Sequence, residues 1–108
     1  MHKPRPAVDV RKTAEFDRFL DSIPEGSLKN EVRESFQLLH EDCTRGDNIQ
    51  KALIGYYTKK YGVNNAWRYE LSDGARMIYA LVSEPNGIAV YLLEGFKTHA
   101  EYEKRFGY

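Results

Sequence analysis

The sequence predicts an α+β domain in which two amphipathic helices precede an antiparallel sheet. Apolar residues at Phe16, Phe19, Leu20 and Ile23 follow the i, i+3, i+4, i+7 spacing of a helix face. From Trp67 onward, three strand-like runs follow one another closely, WRYEL, ARMIYALV and IAVYLLEGF. The chain has 108 residues, of which 42% are hydrophobic, and this is enough for a single core.

A flexible arm and a short edge strand are predicted at the start of this single domain, which spans residues 1–108. The arm, residues 1–6, contains two prolines and two cations. Chain termini with this composition are poorly ordered in most domains. The apolar residues that follow predict an edge strand at Ala7–Val10.

The two helices are predicted to form a hairpin with one shared apolar side. Thr13 is a suitable N-cap for the first helix, and the sequence PEG at 24–26 ends it. Ser27 can cap the second helix, which is expected to stop near Gly46. The apolar stripe of the second helix is Leu28, Val32, Phe36, Leu39 and Cys43.

The sheet is predicted to begin after Asp47, where the period of the pattern changes and aromatic content rises. A first strand is expected around Leu53–Thr58. The sequence EPNG at 84–87 favours a tight turn between strands 76–83 and 88–94. Because both of these strands are apolar on both faces, we expect them to be central and covered on both sides.

The length of the loop after strand 67–71 decides where Arg76 points. A two-residue turn would place Arg76 opposite Leu71 on the apolar face of the strand. A three-residue loop with a left-handed Gly74 would place it opposite Glu70, on the polar side of the strand. A buried guanidinium without a partner costs several kcal/mol, so we predict the second register, which puts Arg76 beside Arg68.

Charge and cysteine content limit the classes of function. Sixteen basic residues balance sixteen acidic ones, so the chain as a whole steers only weakly toward nucleic acid or anionic membrane. Cys43 is the only cysteine, which excludes an internal disulfide and suits a reducing compartment. The chain contains no apolar stretch of membrane-span length and no apolar leader, so we expect a soluble, cytoplasmic protein without membrane contact.

Two short motifs in the second half carry a family resemblance. The first is Arg76-Met77-Ile78-Tyr79, within GARMIYALV, and the second is THAEY, which contains His99 and Tyr102. With the predicted order of elements, the chain resembles the RelE/ParE toxin family of type II toxin–antitoxin systems. The resemblance implies an N-terminal helical hairpin packed on one face of an antiparallel β-meander. It also implies an antitoxin protein as partner.

The resemblance implies two different activities. RelE-like members cleave messenger RNA in the ribosomal decoding site without a metal, whereas ParE-like members inhibit DNA gyrase. Ribosome-directed members are typically strongly basic, but this chain has a pI near 6.8. It also carries Glu70 where some members have a second cation. A ribosome-dependent endoribonuclease toxin is therefore the leading prediction, and a non-catalytic binding module, either a gyrase-type inhibitor or an inert relative, is the alternative.

Four residues are predicted to carry catalysis. Attack by a 2′-hydroxyl on the neighbouring phosphate needs an acid, a base and fixed cations for the charged transition state. His99 can serve as acid or base, Arg76 and Arg68 can grip the phosphate, and Tyr102 can stack on a base or position a proton. Glu70 can act as a base or simply neutralise Arg76. The structural alternatives are a cross-strand ion pair for Arg76, a solubilising charge for Arg68 and a packing role for Tyr102.

Further cations are predicted to bind RNA. They are Lys51, Lys59, Lys60, Lys97 and Arg105. Tyrosines are interleaved with the lysines at 51–60, which suggests a strip for phosphates and bases along a sheet edge, although an edge strand guarded by lysines explains them equally well. No metal site is expected, because His40 and Cys43 have no further ligands nearby in the sequence, and no cofactor motif is present.

The apolar strands also predict a partner surface. Two helices can cover only one face of the sheet, and the C-terminal segment 97–108 is too short to cover all of the other. We therefore expect an open groove beside Ile78, Ala80 and Val90 for an amphipathic antitoxin helix or a second copy of the chain.

Overall fold

The computed structural model describes residues 3–107, which form four α-helices and one five-stranded mixed sheet. The strands are β1 (Asp9–Lys12), β2 (Asp47–Asn48), β3 (Trp67–Glu70), β4 (Arg76–Glu84) and β5 (Gly87–Phe96). The helices are α1 (Ala14–Asp21), α2 (Ser27–Glu41), α3 (Gly55–Tyr61) and α4 (His99–Phe106). Within these described residues, no helix combines the length and apolar character needed to cross a membrane.

The sheet has the strand order β1-β5-β4-β3-β2, and its first pair is parallel. Val10 of β1 lies opposite Val90 of β5, while all other neighbouring strands are antiparallel. The prediction of a purely antiparallel sheet is therefore wrong at this edge. The edge strand exists, but it begins at Asp9 rather than Ala7. The side-chain pattern of β1 says which face is buried and does not encode the direction of its partner strand.

Helices α1 and α2 pack on one face of the sheet. Thr13 caps α1 as predicted, because its hydroxyl accepts a hydrogen bond from the Phe16 backbone N–H at 3.1 Å. In α2 the cap position is Gly26, and Ser27 is already the first helical residue, so the predicted Ser27 cap is wrong. The helix also ends at Glu41, before the predicted stop. Residues buried in this layer include Phe16, Phe19, Val32, Leu39, Met77, Tyr79, Val90 and Leu92.

Helices α3 and α4 cover the opposite face. The segment predicted as a strand at Leu53–Thr58 instead forms a 3₁₀ turn at Lys51–Leu53 followed by α3. Ile54, Tyr57 and Tyr61 are spaced i, i+3, i+7, and a left-handed Gly62 (φ 73°) ends the helix. Packing of this helical face on the sheet outweighs the strand preference of the aromatic residues.

The predicted open groove beside Ile78, Ala80 and Val90 is therefore wrong. All three side chains are fully buried. Ile78 and Ala80 lie beneath α3 and α4, and they share a cluster with Tyr57 and Tyr102. Val90 belongs to the layer beneath α1 and α2 instead. The sequence pattern did not predict α3, and this helix covers part of the sheet face that was expected to be open.

The N-terminal arm is tied to the end of α2 at Arg5. The Arg5 backbone N–H donates to the Asp42 carboxylate at 3.1 Å, and the Arg5 carbonyl accepts from the Cys43 N–H at 2.8 Å. The backbone at Arg5 thus lies against the chain that leaves α2. Of the predicted flexible arm, Met1 and His2 lie outside the described residues.

Candidate functional site

The β3–β4 hairpin has the predicted register. Glu70 lies opposite Arg76, and a three-residue loop at 72–74 joins the strands. Gly74 is left-handed with φ 82°, as predicted, and Asp73 is also left-handed with φ 57°. Arg68 shares the face of Arg76, so both guanidinium groups lie on the side of the sheet away from α1 and α2.

Helix α4 brings Tyr102 onto these two arginines, which we call the arginine pair. The Arg68 Nη1 donates a hydrogen bond of 3.2 Å to the Tyr102 hydroxyl. The guanidinium carbon of Arg76 lies 4.9 Å from the centre of the Tyr102 ring, within the range of a cation–π contact. The hydrogen bond that Arg68 donates to Tyr102 is the main cause of a raised pKa for Arg68. The arginine pair is therefore held in place by one aromatic side chain.

Glu70 lies between the two guanidinium groups. One carboxylate oxygen is 3.7 Å from the Arg68 Nε and 3.8 Å from the Arg76 Nη2. These separations are ion pairs, but they are too long for hydrogen bonds. The Glu70 side chain is 57% exposed, and exposed ion pairs contribute little to stability. Glu70 thus marks a position where an oxygen anion meets both arginines without being tightly held.

The arginine pair retains hydrogen-bonding capacity. Among the residues that the structure describes, the Nε groups of Arg68 and Arg76 are buried and lack a hydrogen-bond partner. An unsatisfied buried donor typically costs about 1–3 kcal/mol, and more on a charged group. Arg76 places Nη1 on the Gly74 carbonyl at 2.9 Å, which fixes the side chain against the hairpin loop. Oriented donors with unused capacity are well suited to an incoming anion.

His99 begins α4 and reaches the edge of this group. Thr98 caps the helix by accepting a hydrogen bond from the Glu101 N–H at 3.2 Å. The His99 ring lies 6.1 Å from the Tyr102 ring and is stacked with it at 27°. Its Nε2 is 2.6 Å from a Glu103 carboxylate oxygen, and its side chain is 54% exposed. His99 is thus open to solvent and paired with an acid.

Tyr102 is buried, which argues against a role in stacking on a base. Only 3% of the residue is exposed. Its ring contacts Phe96 at 5.8 Å and Phe106 at 4.7 Å. The structure instead favours the predicted packing role, in which Tyr102 holds the C-terminal helix against the sheet.

The other predicted cations do not contact the arginine pair. Lys60 lies 3.6 Å from Glu15, and Arg105 forms a two-pronged pair with Glu94 at 3.0 and 3.1 Å. Lys51 and Lys59 are exposed on the 3₁₀ turn and on α3, and Lys97 is exposed just before α4. The lysines at 51–60 therefore lie on helical segments, so their predicted placement along a sheet edge is wrong. Their binding of RNA stays a prediction.

Two acidic partners were missed in the sequence. Asp47 lies opposite Arg68 in the β2–β3 ladder and accepts a hydrogen bond from it at 3.2 Å. Glu94 is almost fully buried beneath α4, where Arg105 satisfies it. A lone acid inside the apolar run IAVYLLEGF is a signal that could have predicted a buried pair. The identity of its basic partner depends on tertiary contact.

No cluster of three or more His, Cys, Asp or Glu side chains able to hold a metal occurs within residues 3–107. Comparisons with protein-family models, with curated proteins and with solved structures found no match to this chain.

Proposed function

We propose that this chain is a RelE/ParE-like toxin that cleaves messenger RNA at the ribosome without a metal. The observation that carries this proposal is the arginine pair, in which Arg68 and Arg76 are oriented by Tyr102 and keep unused donors. A pentavalent phosphorane carries more negative charge than the starting phosphodiester. Fixed cations therefore stabilise the transition state more than the ground state.

In the proposed reaction, the scissile phosphate takes the position of the Glu70 carboxylate between the two arginines. The 2′-oxygen attacks phosphorus and the bond to the 5′-oxygen breaks, which leaves a 2′,3′-cyclic phosphate and a free 5′-hydroxyl. Glu70, displaced toward the 2′-hydroxyl, accepts its proton. His99 donates a proton to the leaving 5′-oxygen, and Glu103, with a carboxylate oxygen 2.6 Å from the His99 Nε2, holds the imidazole in position.

The order and placement of elements support a RelE-like arrangement. Two helices, α1 and α2, follow the first strand and pack on one face of the sheet. Strands β2 to β5 are then joined in chain order as antiparallel neighbours, and α4 closes the chain beside them. The arginine that opens β4 and the histidine that opens α4 are the residues of the two motifs on which the resemblance depends.

We further propose an acidic antitoxin protein as the partner. A groove of about 720 Å³ lies on the α3 side of the sheet, and apolar side chains of Val63, Val82 and Tyr91 contribute to its walls. An amphipathic segment can bury its apolar face there. Exposed cations such as Lys59 and Lys104 can attract acidic residues of such a partner. A second copy of the chain is the competing occupant, and light scattering of the purified protein distinguishes the two.

The alternative is a non-catalytic module on the same fold, acting for example on DNA gyrase. The positions of Glu70 and Glu103 favour it. Glu70 lies between the arginines, and Glu103 lies 2.6 Å from the His99 Nε2. In this interpretation, the acids neutralise groups that would otherwise bind phosphate, and the arginine pair is a structural cross-strand network.

The two functions make opposite predictions in a translation extract. The proposed toxin stops protein synthesis and cuts ribosome-bound messenger into fragments that end in 2′,3′-cyclic phosphate. Adding EDTA after the ribosomes are fixed on the message should not change this result. A gyrase inhibitor leaves the messenger intact and blocks supercoiling of relaxed plasmid. Intact messenger together with inhibited gyrase would therefore replace the proposed function by the alternative.

A further inference from the structure

A second cavity opens directly beside the arginine pair. It has a volume of about 420 Å³, and its lining includes Arg68, Tyr102, Ile49, Gln50 and Leu53. Ligand cavities for small molecules usually lie between about 300 and 1,000 Å³, so the space is large enough for one nucleobase. Arg68 and Tyr102, which are joined by a hydrogen bond beside the proposed phosphate position, also line this cavity. A ligand that spans the two can place a phosphate between the arginines and a neighbouring group in the cavity.

The charge at the rim decides which part of a nucleotide enters the cavity. Asp47 lies at its edge and is 66% exposed, with one oxygen 3.2 Å from the Arg68 Nη2. A second phosphate in the cavity would approach this carboxylate and be repelled. A neutral base is not repelled, and Ile49 and Leu53 offer it apolar contact.

Gln50 contributes a side-chain amide to the cavity, and backbone hydrogen bonds hold the chain on both sides of this residue. The preceding residue, Ile49, donates its N–H to the Ala66 carbonyl at 2.9 Å, which extends the β2–β3 pairing. The Gln50 carbonyl accepts from the Leu53 N–H at 2.9 Å and closes the 3₁₀ turn. The Gln50 side chain is exposed and belongs to the cavity lining. A carboxamide on such a rigid turn can present its donor and acceptor together to one base edge.

From the cavity beside Arg68, we infer that this chain has a nucleobase subsite in which Gln50 recognises an adenine next to the scissile phosphate. The inference rests on the proposed RNA cleavage for its role, but binding can be tested alone. A glutamine amide pairs in two-pronged fashion with the N6 and N7 atoms of adenine. Single-stranded RNA exposes those atoms, because its bases can turn away from their neighbours.

The binding test uses the amide side-chain signals of ¹⁵N-labelled protein. Adenosine 3′-monophosphate is expected to shift the Gln50 signals, whereas inorganic phosphate and cytidine 3′-monophosphate leave them in place. The side-chain amides of Asn30 and Gln37 on α2, which packs on the opposite face of the sheet, serve as internal controls. Gln50 signals that stay still at saturating adenosine nucleotide, or that move equally with phosphate alone, would overturn the subsite.

The second test compares cleavage-site profiles of wild type and Gln50→Ala on the same messenger. Cuts beside adenine should fall about tenfold relative to cuts beside other bases, the size expected for loss of one two-pronged base contact. An unchanged profile contradicts the subsite while leaving the proposed endonuclease standing. Conversely, a wild-type protein that cuts nothing but shows the Gln50 shifts removes the proposed function and keeps the adenine site.

Discussion

Replacing Arg76 by alanine is expected to reduce messenger cleavage by about 10²–10³-fold, the usual cost of removing one oriented donor from a charged transition state. Arg76 is the less exposed member of the arginine pair, with 15% of its side chain accessible. Its position is fixed by the Gly74 carbonyl and the Tyr102 ring. After its removal, water therefore cannot supply an equivalent positive charge at the position of the guanidinium group. The measurement is the single-turnover rate on ribosome-bound messenger.

Arg33→Ala is the matched control for this prediction. Arg33 is an exposed arginine on α2 that pairs with Glu25 at 3.0 Å, on the opposite side of the sheet. Its removal changes net charge by the same amount and should leave the rate unchanged. Arg76→Lys should recover only part of the activity, because an ammonium keeps the charge and loses the planar fork. Equal rates for wild type and Arg76→Ala, with both proteins folded, would remove Arg76 from the mechanism.

Tyr102→Ala is expected to lower the free energy of unfolding by about 3–5 kcal/mol, the range for deleting a large buried aromatic side chain. The ring packs between Phe96 and Phe106 and lies over the arginine pair, so its loss leaves a cavity beneath α4. Urea denaturation followed by Trp67 fluorescence measures the change. Trp67 is in the sheet and reports unfolding of the whole domain.

Tyr102→Phe separates packing from hydrogen bonding. The phenylalanine keeps the ring and removes only the hydroxyl that accepts from Arg68 at 3.2 Å. Tyr102→Phe should lower the free energy of unfolding by about 1.5–3 kcal/mol at most, the range for a hydrogen bond to a charged group. If Tyr102→Ala were no less stable than Tyr102→Phe, the ring would not be holding α4 to the sheet.

Local chemistry was enough to predict the parts of the fold that depend on neighbours in the chain. Thr13 could be identified as a cap because it immediately precedes an apolar helical stripe, and it does cap α1. The register of Arg76 followed from the cost of burying an unpaired guanidinium, and it is confirmed opposite Glu70. Both inferences compare alternatives within a few residues. The identity and spacing of neighbouring residues were therefore enough to predict the Thr13 cap and the Arg76 register.

Features that depend on distant contacts were not predictable in this way. The segment containing Tyr56 and Tyr57 has strand-forming residues, yet it is helical because Tyr57 packs on the far face of the sheet. The burial of Tyr102 likewise depends on how α4 docks, which its own sequence does not state. The pairing of Glu94 with Arg105 joins β5 to α4. Because Tyr102 contacts both arginines, the docking of α4 also decides how the candidate site is held.

The arginine pair as a phosphate site is the central claim, and the Nε–H signals of its two arginines test it most directly. Labelled protein is titrated with a short oligonucleotide that lacks the attacking 2′-hydroxyl, so binding proceeds without cleavage. Because the Nε groups of Arg68 and Arg76 have no hydrogen-bond partner within residues 3–107, a bound phosphate should move both signals together along one saturation curve. The Arg33 signal should remain in place. Saturable binding elsewhere on the protein, with the Arg68 and Arg76 signals unmoved, would contradict the claim.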